Sequence, residues 1–269
     1  MAAAGTLFAQ GAERVALVTG AASGIGAATV GRLAEEGIGG LALLDRDGAG
    51  LERLAGGLAL PAARVLLRAQ DVADEAAWAA TAAAIGERFG RLDLAVANAG
   101  VAAGGTIVEC SIADWRHILS TNLDGAFLTL QASMRLMLEG QRGGAIVVVA
   151  SAAAVKAEIG TSAYGASKAG VVQLARVAAK EGAAARIRVN SILPGGVITP
   201  LWRTVPFFQD LVTQTGSEEA AFTAMAGMAT PLGRYATADE VAEQIVWLLS
   251  DRTAAMTGSA VLIDGGYVL

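Results

Sequence analysis

Tyr164 and Lys168 stand four residues apart in the stretch "SAYGASKAG", 162–170. On a helix, positions i and i+4 share a face one turn apart, so a phenol and an ammonium at this spacing converge. A free phenol titrates near pH ~10 and is a poor acid or base at neutrality. A neighbouring cation favours the phenolate and brings the group toward the working range, so the pair could move a proton. Gly165, Ala166 and Ala169 are small enough to let something flat and large approach the same helix.

A second chemical feature lies near the start. In "TGAASGIG" (19–26), Gly20, Ser23, Gly24, Ile25 and Gly26 follow an apolar run and lead into a helical pattern. Glycines there allow a tight turn and let backbone approach a diphosphate, whose charge is favoured at the helix N-terminus. The spacing is GxxxGxG rather than GxGxxG, and no Lys-Ser/Thr follows as a P-loop requires. Nineteen residues after Gly26, Asp45 closes the next apolar run, where a carboxylate binds the hydroxyls of an adenosine ribose. Arg46 follows at once and could attract a 2′-phosphate. Two unit charges about 4 Å apart interact by roughly 4 kcal/mol at an effective dielectric of 20, so distance decides between them. The carboxylate is aimed into the ribose site and the long arginine can swing into water. Ser23, before the second glycine, offers no second cation. NAD is therefore expected over NADP.

These groups need a frame, and the apolar runs supply it. "RVALVT" (14–19), "LALLD" (41–45), "RVLLRA" (64–69), "LDLAVAN" (92–98), "GAIVVVAS" (144–151), "IRVNSI" (187–192) and "SAVLID" (259–264) are nearly continuous, as in strands buried on both faces. Helical spacing fills the intervals, for example Gly24–Glu36, Glu75–Phe89 and Ser111–Leu138. The alternation predicts an α/β fold, a Rossmann-type doubly wound parallel seven-stranded sheet with helices on both faces, as one domain over 1–269. From Pro194 to about Asp239 no strand is expected. Trp202, Phe207, Phe208, Phe222, Met225 and Met228 collect there, which reads as a substrate-covering insertion at about 195–238. Its apolar side chains suit a bulky, cyclic, uncharged substrate, with Arg203 the nearest cation.

Composition excludes several classes. The 269 residues are 54 % hydrophobic and 17 % charged, with net charge −5 and no basic stripe, so a compact protein without a nucleic-acid partner is expected. The longest charge-free stretches are broken by Thr, Ser and Gly and do not span a bilayer. The opening "MAAAGTLFAQGAERVALV" shows no basic region followed by an apolar run and cleavage site, so the cytoplasm is expected. The single cysteine, Cys110, has no disulfide partner, and with His117 as the single histidine no metal site is expected.

With glycine loop, strand-end aspartate and Tyr-x-x-x-Lys in this order, the sequence resembles the short-chain dehydrogenases/reductases over nearly its whole length. "DV" (Asp71, Val72) resembles that family's adenine contact and "NAG" (Asn98 to Gly100) its fourth-strand motif, here in the context "ANAG" rather than the commoner "NNAG". "PGGVIT" (194–199), with Val197 and Thr199, resembles the nicotinamide loop. The resemblance implies a catalytic set of Asn122, Ser151, Tyr164 and Lys168. Tyr164 would exchange a proton with the substrate oxygen, Ser151 would hydrogen-bond that oxygen, and Lys168 would hold the nicotinamide ribose and lower the tyrosine pKa. Asn122 would hold a water that relays protons to Lys168. The implied protein is an NAD-dependent secondary-alcohol dehydrogenase or ketoreductase, a homotetramer joined in part through the final strand and tail. Two alternatives stand beside it, a 3-oxoacyl carrier-protein reductase and a non-catalytic nucleotide sensor.

Overall fold

The computed structural model describes residues 7–102 and 105–269. Residues 1–6, part of the stretch read for a leader, lie outside the described residues. Seven parallel strands form one sheet: β1 (Val15–Thr19), β2 (Gly40–Asp45), β3 (Val65–Ala69), β4 (Leu94–Ala97), β5 (Gly144–Val149), β6 (Ile187–Pro194) and β7 (Ala260–Ile263). Their order is β3-β2-β1-β4-β5-β6-β7. The chain therefore reverses its direction of winding between β1 and β4, and a crevice opens at the carboxyl ends of those strands. Register places the site there: Thr19 pairs with Leu44, and Val18 with Val96, so the residues that follow β1, β2 and β4 emerge along one edge.

Successive residues of each strand point to opposite faces, and each face carries its own helical layer. Leu17, Ala95, Ile146 and Val189 pack with Trp78 of α3 (Glu75–Phe89), Leu130 and Met137 of α5 (Gly125–Gly140), and Val171 and Ala175 of α6 (Ser162–Gly182). Ala16, Val18, Leu43, Val96 and Val147 pack with Val30 and Leu33 of α1 (Gly24–Glu35), Leu51 of α2 (Gly48–Gly57), and Ile245 and Leu249 of α9 (Ala238–Leu249). The helix ends follow local chemistry. Asp74 accepts from Ala77 N before α3, Gly90 closes that helix at φ 67°, and Thr237 with Glu240 forms a capping box on α9.

Two expectations are corrected. The single helix expected over Ser111–Leu138 is divided into α4 (Ile112–Leu119), a π turn at Ser120–Asp124, and α5. An apolar pattern continues across a π turn, whereas its cause, the tertiary bonding of one residue in it, has no periodic trace. The interval expected to hold no strand contains a short parallel pair, Val197–Ile198 against Ala236–Thr237. Two-residue strands are too short to show a period. This pair joins the two ends of the insertion, between which lie α7 (Pro206–Thr215) and α8 (Glu218–Ala229).

Candidate active site

The glycine loop is built by exclusion of side chains. Gly20 has φ +65°, and a Cβ there would lie 2.8 Å from Ala99 Cα and from Asn98 Nδ2; a Cβ on Gly26 would overlap the Gly20 carbonyl oxygen. The loop is also tied down from three sides. Asn98 Nδ2 donates to the carbonyl oxygens of Thr19 (3.0 Å) and Gly20 (3.1 Å). Thr19 Oγ1 accepts from the amides of Asn98 and Ala99. Asp45 Oδ2 accepts from Ala22 N at 3.0 Å, and its Oδ1 from Asp47 N at 3.0 Å. Ser23 stands at the α1 N-cap in extended conformation without a side-chain cap bond. Uncapped first-turn amides beside a cradle that a Cβ would fill suit a diphosphate.

The flanking residues complete the crevice. Ile25 is half-buried against the core, and Arg46, just past Asp45, is exposed. Asp71 is exposed and accepts from Ala73 N, while Val72 is buried and faces Gly125 so closely that a Cβ there would lie 2.6 Å from Val72 Cγ2. Val197 is buried and accepts from Trp202 Nε1 at 2.9 Å. Thr199 lies across the loop, its Cγ2 3.4 Å from where a Gly24 Cβ would be. The start of the insertion thus roofs the glycine loop.

At the ends of β4 and β5 a second group converges. Tyr164 and Lys168 lie on the first turns of α6, with Nζ 5.7 Å from the Tyr164 ring centroid. Lys168 is buried, and its Nζ donates to Val149 O at 2.9 Å. A Cβ on Gly100 would be 3.4 Å from that Nζ and 3.3 Å from Asn122 Oδ1, so the Gly100 backbone lies close against both groups. Ser151 lies two residues past the end of β5, with its hydroxyl close to the Tyr164 phenol; it accepts from Ala153 N at 3.2 Å. Asn122 sits in the π turn, almost fully buried. Its Oδ1 accepts from Val101 N (2.8 Å), and its Nδ2 donates to Val101 O (3.0 Å) and Ser167 Oγ (3.1 Å). Ser167 Oγ in turn donates to Tyr164 O at 2.7 Å. The π turn is thereby bolted to the turn that carries the phenol. Ser167 has no signature in the sequence, because a serine inside a helical pattern gives no sign of its partners.

Tyr164 is half-buried over the whole residue, its phenol end densely enclosed, and burial pushes its pKa up while the Ser151 hydroxyl opposes the shift. The Lys168 ammonium lies over the ring and donates to Val149 O. Burial brings the Lys168 pKa down to about 8, so the group is still charged at neutral pH. His117 is exposed on α4 and Cys110 is half-buried next to Ser111 O, both away from these contacts. Among the described residues no three His, Cys, Asp or Glu side chains gather.

The insertion divides its aromatic residues. Trp202, Phe208, Phe222, Met225 and Tyr235 pack on one another, with Trp202 stacked on Tyr235 at 5.9 Å. Phe207 and Met228 are exposed, as are Ile198, Leu201 and Leu232. Arg203 is held by Glu218 at 2.8 Å and 3.1 Å. Outside the insertion, Ile107, Val155 and Ile159 are further exposed apolar residues.

A family model described as enoyl-(acyl carrier protein) reductase matches residues 20–268. D-threitol dehydrogenase of Mycolicibacterium smegmatis is 41% identical, covering 95% of this chain and 93% of that protein. Cis-4-hydroxycyclohexanecarboxylate dehydrogenase of Sinomonas cyclohexanicum is 40% identical, covering 95% and 97%. Among solved structures, carveol dehydrogenase of Mycobacterium avium in complex with NAD superposes with a TM-score of 0.87 at 29% identity, covering 95% of this chain and 97% of that one.

Proposed function

Because the chain belongs to the short-chain dehydrogenase/reductase family, we propose that this oxidoreductase interconverts a secondary alcohol and its ketone, using NAD(H), on an apolar cyclic substrate. One observation carries the reading: the Ser151 hydroxyl, the Tyr164 phenol and the Lys168 ammonium meet beside the glycine loop at the switch point of the sheet.

Each residue has a task that its surroundings suit. Tyr164, kept protonated by burial, donates its proton to the carbonyl oxygen in reduction and takes it back in oxidation. Ser151 hydrogen-bonds the same oxygen and stabilises the charge that develops on it. Lys168 holds the nicotinamide ribose with the donors not engaged by Val149, and its positive charge stabilises the phenolate left after donation. The Asn122 side chain is committed to Val101 and Ser167, which leaves its backbone in the π turn for the water that passes protons to Lys168. Gly20, Ser23, Gly24 and Ile25, with Gly26, cradle the diphosphate; Asp45 takes the adenosine ribose; Asp71 and Val72 border the adenine; Asn98, Gly100, Val197 and Thr199 frame the nicotinamide. NAD, when bound, supplies or accepts the hydride.

Asp45 against the exposed Arg46 is the ground for NAD over NADP, and the exposed apolar side chains of the insertion, Leu201, Phe207 and Met228 among them, are the ground for the substrate class. The test is steady-state oxidation of NADH and NADPH against a panel of cyclic ketones, acetoacetyl thioester and phosphorylated or carboxylated ketones. Turnover of cyclic ketones with NADH supports the reading. A strict need for a carboxylate, phosphate or acyl thioester in the substrate overturns it.

A further inference from the structure

Pro194 ends β6, and Thr199 a few residues on stands over the start of α1, its Cγ2 3.4 Å from where a Gly24 Cβ would be. In the sheet, β5 and β4 lie between β6 and β1. Three strand spacings are about 14 Å, and the five steps from Pro194 to Thr199 reach at most about 17 Å. The segment therefore runs almost straight past the carboxyl ends of β5 and β4, which lead to Ser151 and to Asn98. Asp45 closes β2, on the opposite side of β1. A dinucleotide with its diphosphate at the glycine loop and its adenosine at Asp45 thus has its nicotinamide half on the side this segment crosses.

Two aromatic residues of the insertion hold the segment. Val197–Ile198 pairs with Ala236–Thr237, and the Ala236 amide donates to Gly196 O at 3.1 Å, but a two-residue ladder is not stable by itself. Tyr235 is buried, and its ring lies so close to Gly196 that a Cβ there would overlap it. Trp202 stacks on Tyr235 with ring centroids 5.9 Å apart and planes 15° apart, and its Nε1 donates to Val197 O at 2.9 Å. Phe208 and Phe222 close on the same indole, their centroids 5.9 Å and 6.4 Å away. The core of the insertion fixes the indole, and the indole fixes the backbone that spans the strand ends.

We propose that Trp202 and Tyr235 are positioning residues for the nicotinamide half of the coenzyme. They set the height of the Gly196–Ile198 backbone over the strand ends, whereas the glycine loop and Asp45 hold the other half. The proposal rests on the coenzyme site assigned above.

The test is calorimetric titration with NADH and with ADP-ribose, which lacks the nicotinamide. Trp202→Phe keeps a ring against Tyr235 and removes the N–H. It is expected to weaken NADH binding roughly three- to tenfold, as for one lost hydrogen bond, and to change ADP-ribose binding by less than about twofold. Gly196→Ala, which forces the segment off the Tyr235 ring, is expected to show the same bias. Hydrogen exchange of the wild type keeps the question open to test if either variant fails to fold: NADH should protect the Ala236 amide more than ADP-ribose does. An equal loss for the two ligands, no loss for either, or equal protection of Ala236 overturns the proposal, because aromatic residues that merely stabilise the insertion would treat both ligands alike. A wild type that binds neither ligand overturns the coenzyme site itself, and the proposal falls with it.

Discussion

Lys168 Nζ donates to the carbonyl oxygen of Val149 at 2.9 Å, which ties the helix carrying Tyr164 to the strand end two residues before Ser151. One buried bond thus sets the distance between the two hydroxyls that share the substrate oxygen in the proposed reaction, and the predictions below probe that arrangement.

Tyr164→Phe keeps the ring and removes the proton. Turnover is expected to fall by about 10²- to 10⁴-fold, with NADH binding, followed by fluorescence titration, little changed. A variant that keeps more than half of the wild-type kcat contradicts the assignment.

Lys168 gives a pH signature of defined sign. Burial lowers its pKa from 10.5 to about 8, so between these values the unfolded chain binds more protons than the native one. Stability from this group therefore rises with pH across that window and is smallest below it. Urea denaturation at pH 7.5 and pH 10 is expected to show the wild type gaining on Lys168→Met as pH rises. Coenzyme binding should run the other way, weakening above about pH 8 as the ammonium is lost. A stability difference that is flat with pH sinks the first claim.

Asp45 supports the glycine loop as well as bordering the ribose position, since it accepts from Ala22 N and Asp47 N. Asp45→Ala is expected to lose NAD efficiency and shift preference toward NADP. Asp45→Asn, which keeps an acceptor, separates charge from scaffolding. In the wild type, NAD should be preferred at least about tenfold in kcat/KM, a difference of about 1.4 kcal/mol. Equal efficiencies would mean that Arg46 captures the phosphate.

A homotetramer is expected in solution. Phe127 and Leu138 of α5, Val177 of α6 and Leu262 of β7 are between 42% and 47% exposed, apolar surface that symmetric association would cover. Light scattering at micromolar concentration checks it, and a monomeric mass refutes it.

The sequence by itself determined the frame and the chemical parts. Continuous apolar runs separated by helical spacing specify a parallel sheet, because burial on both faces demands it of every strand residue. The glycines of "TGAASGIG" and the spacing of Tyr164 and Lys168 are likewise local, so short windows contain them. Tertiary structure decided what depends on residues far apart in the chain. The π turn at Asn122 exists where its side chain meets Val101 and Ser167, and the insertion is joined by two residues at each end. The Tyr267 hydroxyl donates to Glu158 across 109 residues of chain, a contact that leaves no joint pattern in either segment. The burial of the Tyr164 phenol belongs to the same class: the neighbouring cation is legible in the sequence, but the desolvation that pushes the phenol pKa up is a property of everything packed around it.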